Sequence, residues 1–100
     1  MKRRPVVYLP SAQRDLLEGL EYIRNDSPSS AEPWLARIDK TLSRLGFFPY
    51  SGSVPKDIRL DRLGYRMIAI GEHLAFYAVR ARSVEVRRVV HGKRRYSFLF

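Results

Sequence analysis

Ten residues at the end of the 100-residue sequence, His91-Gly-Lys-Arg-Arg-Tyr-Ser-Phe-Leu-Phe100, hold most of its chemically capable groups. An imidazole, three cations and a phenol can bind phosphate, move protons and stack on a base. They follow directly on Val84-Glu-Val-Arg-Arg-Val-Val90, a strand-like run, and a strand end holds side chains in fixed positions at the edge of a sheet. That chemistry suits a polyanionic target, or a protein that handles one.

The charge of the whole chain agrees. Net charge is +9 with a pI near 10.5. Residues 51–100 carry eleven Lys and Arg against four acids, and residues 1–50 eight against six, so the second half supplies most of the cationic surface. With 45% hydrophobic residues the chain can build a core, and its length suits a single domain spanning 1–100. It contains no cysteine, which excludes disulfides and thiolate metal sites, and two histidines are too few for a zinc centre. Neither metal-ligand spacing nor a phosphate-binding glycine loop is present, so no cofactor is expected. Met1-Lys-Arg-Arg is basic like the start of a signal peptide, but Pro5, Tyr8, Pro10, Gln13 and Arg14 interrupt any apolar stretch behind it. No run approaches the roughly 20 apolar residues of a membrane helix. A soluble cytoplasmic protein with no membrane partner is expected.

The elements that must position the strand end follow from periodicity. Pro5-Val-Val-Tyr-Leu9 predicts a short strand, stopped by Pro10. Ser11 is placed to cap a helix with Asp15 in its first turns, and Ala12, Leu16, Leu20 and Ile23 form one apolar stripe. After a turn at 25–29, Trp34, Ile38, Leu42 and Leu45 repeat the pattern. Pro33 argues that this second helix begins at Ser29 or Ser30, because a proline in the interior costs about 3 kcal/mol. From about residue 56 the period becomes two. Strands are expected at 57–60, 65–70, 74–79 and 84–90, the last three joined by tight turns. The predicted class is α+β: an N-terminal strand, then an antiparallel helical hairpin packed on an antiparallel meander, β-α-α-β-β-β-β. Alternation would then gather Arg59, Arg66, Arg88, His91, Arg94, Arg95 and Tyr96 in a groove opposite the helices.

In this order the chain also carries Ala12-x-x-Asp-Leu16 with Tyr22-Ile23, Ser27-Pro28-x-x-Ala31, Leu45-x-x-Phe-Pro49-x-x-Gly52, Arg59-x-x-x-x-Gly64-x-Arg66, Tyr77-x-Val79 and Arg88-Val-x-His91-Gly-x-Arg94. Each piece is weak alone. Together they resemble the ParE/RelE superfamily, the toxins of bacterial type II toxin–antitoxin (plasmid stabilisation) modules. The resemblance implies a cognate antitoxin whose acidic C-terminal segment wraps the toxin in a hetero-oligomer, and growth arrest when the toxin is expressed alone.

Two activities are implied. RelE-like members cut mRNA on the ribosome; ParE-like members poison DNA gyrase without nuclease chemistry. Cleavage needs proton transfer and cations for the charged phosphorane, roles open to His91, Tyr96, Arg66 and Arg95. Lys56, Arg59, Arg88, Lys93 and Arg94 are expected to bind phosphate or target. Leu16, Leu20, Trp34, Phe98 and Phe100 are expected to meet the antitoxin. The loop before residue 60 has only Lys56, where RelE-like nucleases are richer in lysine, and the Val-x-His-x-x-Arg ending is closer to ParE-like members. The gyrase poison is therefore the first reading and the mRNA endoribonuclease the alternative. A further alternative is a non-toxic nucleic-acid-binding or decayed member. The dull readings are a structural His91, an inert His73 in a turn, an ordinary basic tail and a core Trp34.

Overall fold

A computed structural model describes residues 3–92. The chain runs β1 (Val6–Tyr8), α1 (Pro10–Asp26), α2 (Pro28–Ser43), a 3-10 turn (Arg44–Gly46), α3 (Ile58–Arg62), β2 (Tyr65–Ile70), β3 (His73–Val79) and β4 (Val84–His91). The sheet order is β1-β4-β3-β2. The three later strands form the expected antiparallel meander, and β1 joins its edge parallel to β4. The α+β architecture with a helical hairpin on a sheet is as predicted.

Both long helices begin on a proline. Pro10 and Pro28 occupy first-turn positions, where a missing N–H costs nothing and the ring fixes a helical φ. Leu9, not Ser11, is therefore the residue that precedes α1. Ser27 alone separates the helices, in extended conformation as the residue before a proline must be. Its N–H donates to Ile23 O at 2.7 Å and its carbonyl accepts from Ser30 N at 2.9 Å. One residue thus ends one helix and starts the next. The expected start of α2 at Ser29 or Ser30 is corrected: Pro33 lies inside the helix. The carbonyl it leaves without a helical donor belongs to Ser29, which is exposed and open to water.

A second correction concerns the strand expected at 57–60: Ile58–Arg62 form a short helix with Asp57 as its extended cap. Asp57 accepts the N–H of Arg59 at 2.9 Å as an N-cap, and Gly64, at φ 79°, ends the turn in the left-handed region. Only Leu60 of this segment is buried, while Ile58 and Leu63 stay exposed. One buried residue per turn satisfies a short helix as well as a strand.

Two cores lie on opposite faces of the sheet. Under α1 and α2, Ala12, Ile38, Leu42 and Leu45 pack on Ile70, Ala75, Tyr77, Val84, Val86 and Val89. On the other face, Leu60 of α3 covers Tyr65, Phe76, Ala78 and Val90. A β-bulge in β4 sets this division. Tyr77 pairs with Val86 but Phe76 pairs with Arg88, leaving Arg87 as the extra residue. Val89 and His91 therefore share a face with Val84 and Val86.

The loop between α2 and α3 is pinned to the sheet from below. The Tyr77 hydroxyl donates to Pro49 O at 2.8 Å and accepts from Gly52 N at 3.0 Å. Ser53 and Met67 exchange backbone bonds at 2.8 Å in each direction. A Cβ on Gly52 would lie 2.5 Å from the Tyr77 hydroxyl and 2.6 Å from Met67 O. Tyr77→Phe should cost about 2 kcal/mol, since it strands the buried Gly52 N–H. Gly52→Ala should cost at least as much, and the double variant less than the sum, because both break one contact. Urea denaturation of the four proteins checks this; strict additivity would mean the clamp does not exist.

Candidate functional site

Between the helical hairpin and the ends of β2, β3 and β4 lies a cleft of about 720 Å³. Its floor is a row of rings. Trp34 of α2 meets His73 edge-to-face at 5.3 Å between centroids, and His73 meets His91 at 5.4 Å. The β3–β4 register pairs the two histidines directly, and Gly71, at φ 60°, turns the β2–β3 hairpin just before them. His91 Nε2 is 3.5 Å from Glu72 Oε2, a weak contact because that carboxylate is 85% exposed. Trp34 fits because Gly19 of α1 has no side chain: a Cβ there would lie 2.5 Å from the indole. The indole N–H is buried without a partner. Burial first, and the neighbouring His91 second, hold His73 below the ordinary histidine range; Glu72 opposes them.

Asp15, which lines the cleft, is held in an ion pair with Arg88 just outside it. Asp15 of α1 takes Arg88 Nε at 2.7 Å and Arg88 Nη2 at 2.9 Å, and also the Val89 N–H at 2.9 Å. Side-chain exposures of 8% for Asp15 and 18% for Arg88 make this a mostly buried, bidentate pair. The hydrogen bond to Asp15 raises the Arg88 guanidinium above its usual value, outweighing its partial burial. With that pair neutralised, the lining keeps Glu18 and Glu72 against Arg37, an acidic spot on a basic protein.

Among the described residues, Arg59, Arg66, Arg88 and His91 do not form the expected groove opposite the helices. Arg66 and His91 both lie on the helix-bearing face, but at opposite ends of the hairpins: Arg66 pairs with Tyr77, and His91 with His73, four positions along β3. At about 3.3 Å per residue that is on the order of 13 Å. Arg66 is occupied by the loop, donating to Gly52 O at 2.7 Å and Tyr50 O at 3.1 Å and lying over the Tyr50 ring. Its Nε is buried and unpartnered. Arg59 and Lys56 are exposed near α3, Arg59 beside Asp57 at 3.6 Å. Arg88 is held by Asp15. Leu16 and Trp34 pack half-buried on the core and Leu20 is half-buried as well. The exposed apolar side chains of α1 are Leu17 and Tyr22, neither expected. Lys93, Arg94, Arg95, Tyr96, Phe98 and Phe100 lie outside the described residues. His73, Glu72 and Arg37 also enter the site unforeseen. The signal for His73 lay in the hairpin register, since a two-residue turn at Gly71-Glu72 makes it the first paired residue of β3.

The sequence matches the model of the ParE toxin of the type II toxin–antitoxin system parDE over residues 6–96. The chain belongs to the ParE toxin family. A solved chain from the chromosomal ParDE toxin–antitoxin system of P. aeruginosa has the same fold, with a TM-score of 0.75 at 14% identity, over 89% of this chain and 96% of that one. A comparison with curated proteins gives no match. In this ParE-family chain no helix among the described residues is long and apolar enough to cross a membrane, and no group of three metal-ligating side chains occurs among them.

Two outcomes follow for the cleft. Asp15→Ala leaves the Arg88 charge and the Val89 N–H without their acceptor and should cost about 3 kcal/mol or more, with Asp15→Asn intermediate. Equal urea midpoints for Asp15→Ala and the parent would remove the pair from any structural role. His73 has a folded pKa below its unfolded value of 6.5, so below that pH the unfolded chain binds a proton the folded chain refuses. Stability should therefore fall as pH drops below about 6.5, and His73→Gln should flatten that fall. Unfolding midpoints at pH 7.5 and 5.5 measure it; an unchanged slope in the variant would assign the effect elsewhere.

Proposed function

We propose that this ParE-family toxin is neutralised by a cognate antitoxin and acts by binding DNA gyrase rather than by cutting mRNA. The observation that supports gyrase over cleavage is the separation of Arg66 from His91. Phosphodiester cleavage needs its proton-transfer group and its phosphate-holding cation on one scissile bond. Here Arg66 is spent on two loop carbonyls, and His91 faces His73 and Glu72 at the far end of the sheet. A binding function needs no such convergence.

The antitoxin reading draws on the family and on the surface. The +9 charge favours an acidic segment, and the exposed Leu17 and Tyr22 beside the Trp34 cleft offer apolar anchors on the hairpin. The ParDE system of the P. aeruginosa relative is a toxin–antitoxin system of the same kind.

Purified protein assayed for gyrase supercoiling, beside a ribosome-programmed mRNA cleavage assay, tests the target. Supercoiling should be inhibited with trapped DNA breaks while mRNA stays intact. His91→Gln should change growth arrest by no more than about threefold, whereas loss of a proton-transfer group from a nuclease costs about 10²- to 10⁴-fold. Cleaved mRNA with normal supercoiling would reverse the reading.

A further inference from the structure

At the opposite end of β4 from the histidines is a second concavity, of about 740 Å³, between the chain segment before β1, the loop after the 3-10 turn and the β3–β4 turn. Arg3, Arg4 and Arg82 line it with Phe47 and Pro49, and no lining residue is acidic. None of the three arginines forms an ion pair among the described residues. Three guanidinium groups around one cleft repel each other, and none of the ion pairs among the described residues relieves them.

Their placement is fixed by the backbone. Arg4 N donates to Gly46 O at 2.9 Å, and Val84 N donates to Pro5 O at 2.9 Å, so both ends of the arginine segment are tied. Gly46 makes the approach possible, because a Cβ there would lie 2.5 Å from Arg4 O and 3.0 Å from Arg3 Cγ. The Arg3 guanidinium stands 5.8 Å over the Phe47 ring. Phe47 is 43% exposed, and the same loop continues into Phe48 at 57% and Tyr50 at 62%.

Unpaired guanidinium forks select ligands with phosphate oxygens, which they bind in pairs. Exposed rings beside them select flat, unpaired bases, and a duplex hides those faces. We propose that this cleft binds single-stranded nucleic acid, with phosphates on Arg3, Arg4 and Arg82 and a base stacked against the Phe47 loop. The site is separate from the histidine cleft and its test uses neither gyrase nor ribosome, so failure of the gyrase reading leaves it standing.

Full-length protein is titrated against labelled oligo-dT, oligo-U and a duplex of equal length over a range of salt, read by fluorescence anisotropy. Arg4→Gln with Arg82→Gln should lower single-strand affinity about tenfold and flatten the salt dependence by about 1.4 in log–log slope, two released counterions' worth. Phe47→Leu should cost about fivefold or more and reduce the preference for single strands over duplex. Arg14→Gln with Arg24→Gln, the same charge removed from α1, should change affinity less than twofold, roughly. Circular dichroism confirms that each variant is folded. The better bound of oligo-dT and oligo-U names the strand as DNA or RNA. The proposal is overturned if no oligonucleotide binds at low salt, if duplex binds as well as single strand, or if both arginine pairs lose affinity equally. It is overturned too if polyglutamate competes as well as oligonucleotide, since the cleft would then fit an acidic protein.

Discussion

Where β1 stops after Tyr8, β4 continues, and the Val89 N–H would have neither a strand nor water to accept it without the Asp15 carboxylate. One side chain completes the sheet edge that the short first strand leaves open. It also takes both ends of the Arg88 fork, so α1 is bound to β4 by three hydrogen bonds through a single carboxylate. Much else is conditional on that contact. It fixes where α1 crosses β4, hence where Gly19 sits to receive the Trp34 ring, and hence the floor of the histidine cleft. A buried charge pair of this kind adds little net stability compared with an apolar substitute, yet losing either partner alone is costly because the other charge is left buried and unpaired.

The bulge at Arg87 is the second constraint, and it explains why the site was only partly legible. Continuing the Val79–Val84 register without it would set His91 opposite Glu72 and put Arg88 on one face with Val84 and Val86. The extra residue shifts the pairing by one, brings His91 against His73, and turns Val89 inward in place of Arg88. Nothing in Val84-Glu-Val-Arg-Arg-Val-Val90 announces a bulge, since two adjacent arginines fit either side of a strand edge. Alternation assigns faces but not positions along a strand, so the expected groove joined Arg66 to His91, which the pairing keeps four positions apart on β3.

The elements themselves were easier to read, for a physical reason. Ile38, Leu42 and Leu45 are fully buried and Trp34 half-buried, as a stripe repeating every three to four residues requires. On α1 Ala12 is buried and Leu16, Leu20 and Ile23 are half-buried, and the apolar alternation of β3 and β4 survives on either side of the bulge. Local rules failed where two of them competed. Pro33 disfavours a helix that begins at Pro28, yet Pro28 itself is a strong helix starter, and the exposed Ser29 carbonyl lowers the cost of the conflict. At 57–60, the capping capacity of Asp57 outweighed a two-residue alternation too short to be decisive. His73 looked inert because its partner lies eighteen residues away across a hairpin, where only pairing can show it.

The charge distribution then separates two ends of the molecule. Acids concentrate on the helical hairpin, where Asp15, Glu18 and Glu21 share α1, and the histidine cleft keeps more carboxylate than free cation. At the other end Arg3, Arg4 and Arg82 line a concavity with no acid among the described residues. An average of +9 conceals this polarity. A polyanion is steered to the arginine end by electrostatic attraction, within a screening length of about 8 Å at physiological salt. The hairpin surface is nearly neutral by comparison, and what it exposes is apolar and aromatic: Leu17, Tyr22 and the ring row of the cleft. Apolar docking and ionic docking are thus assigned to different faces by the same fold, and salt should weaken one while leaving the other largely intact.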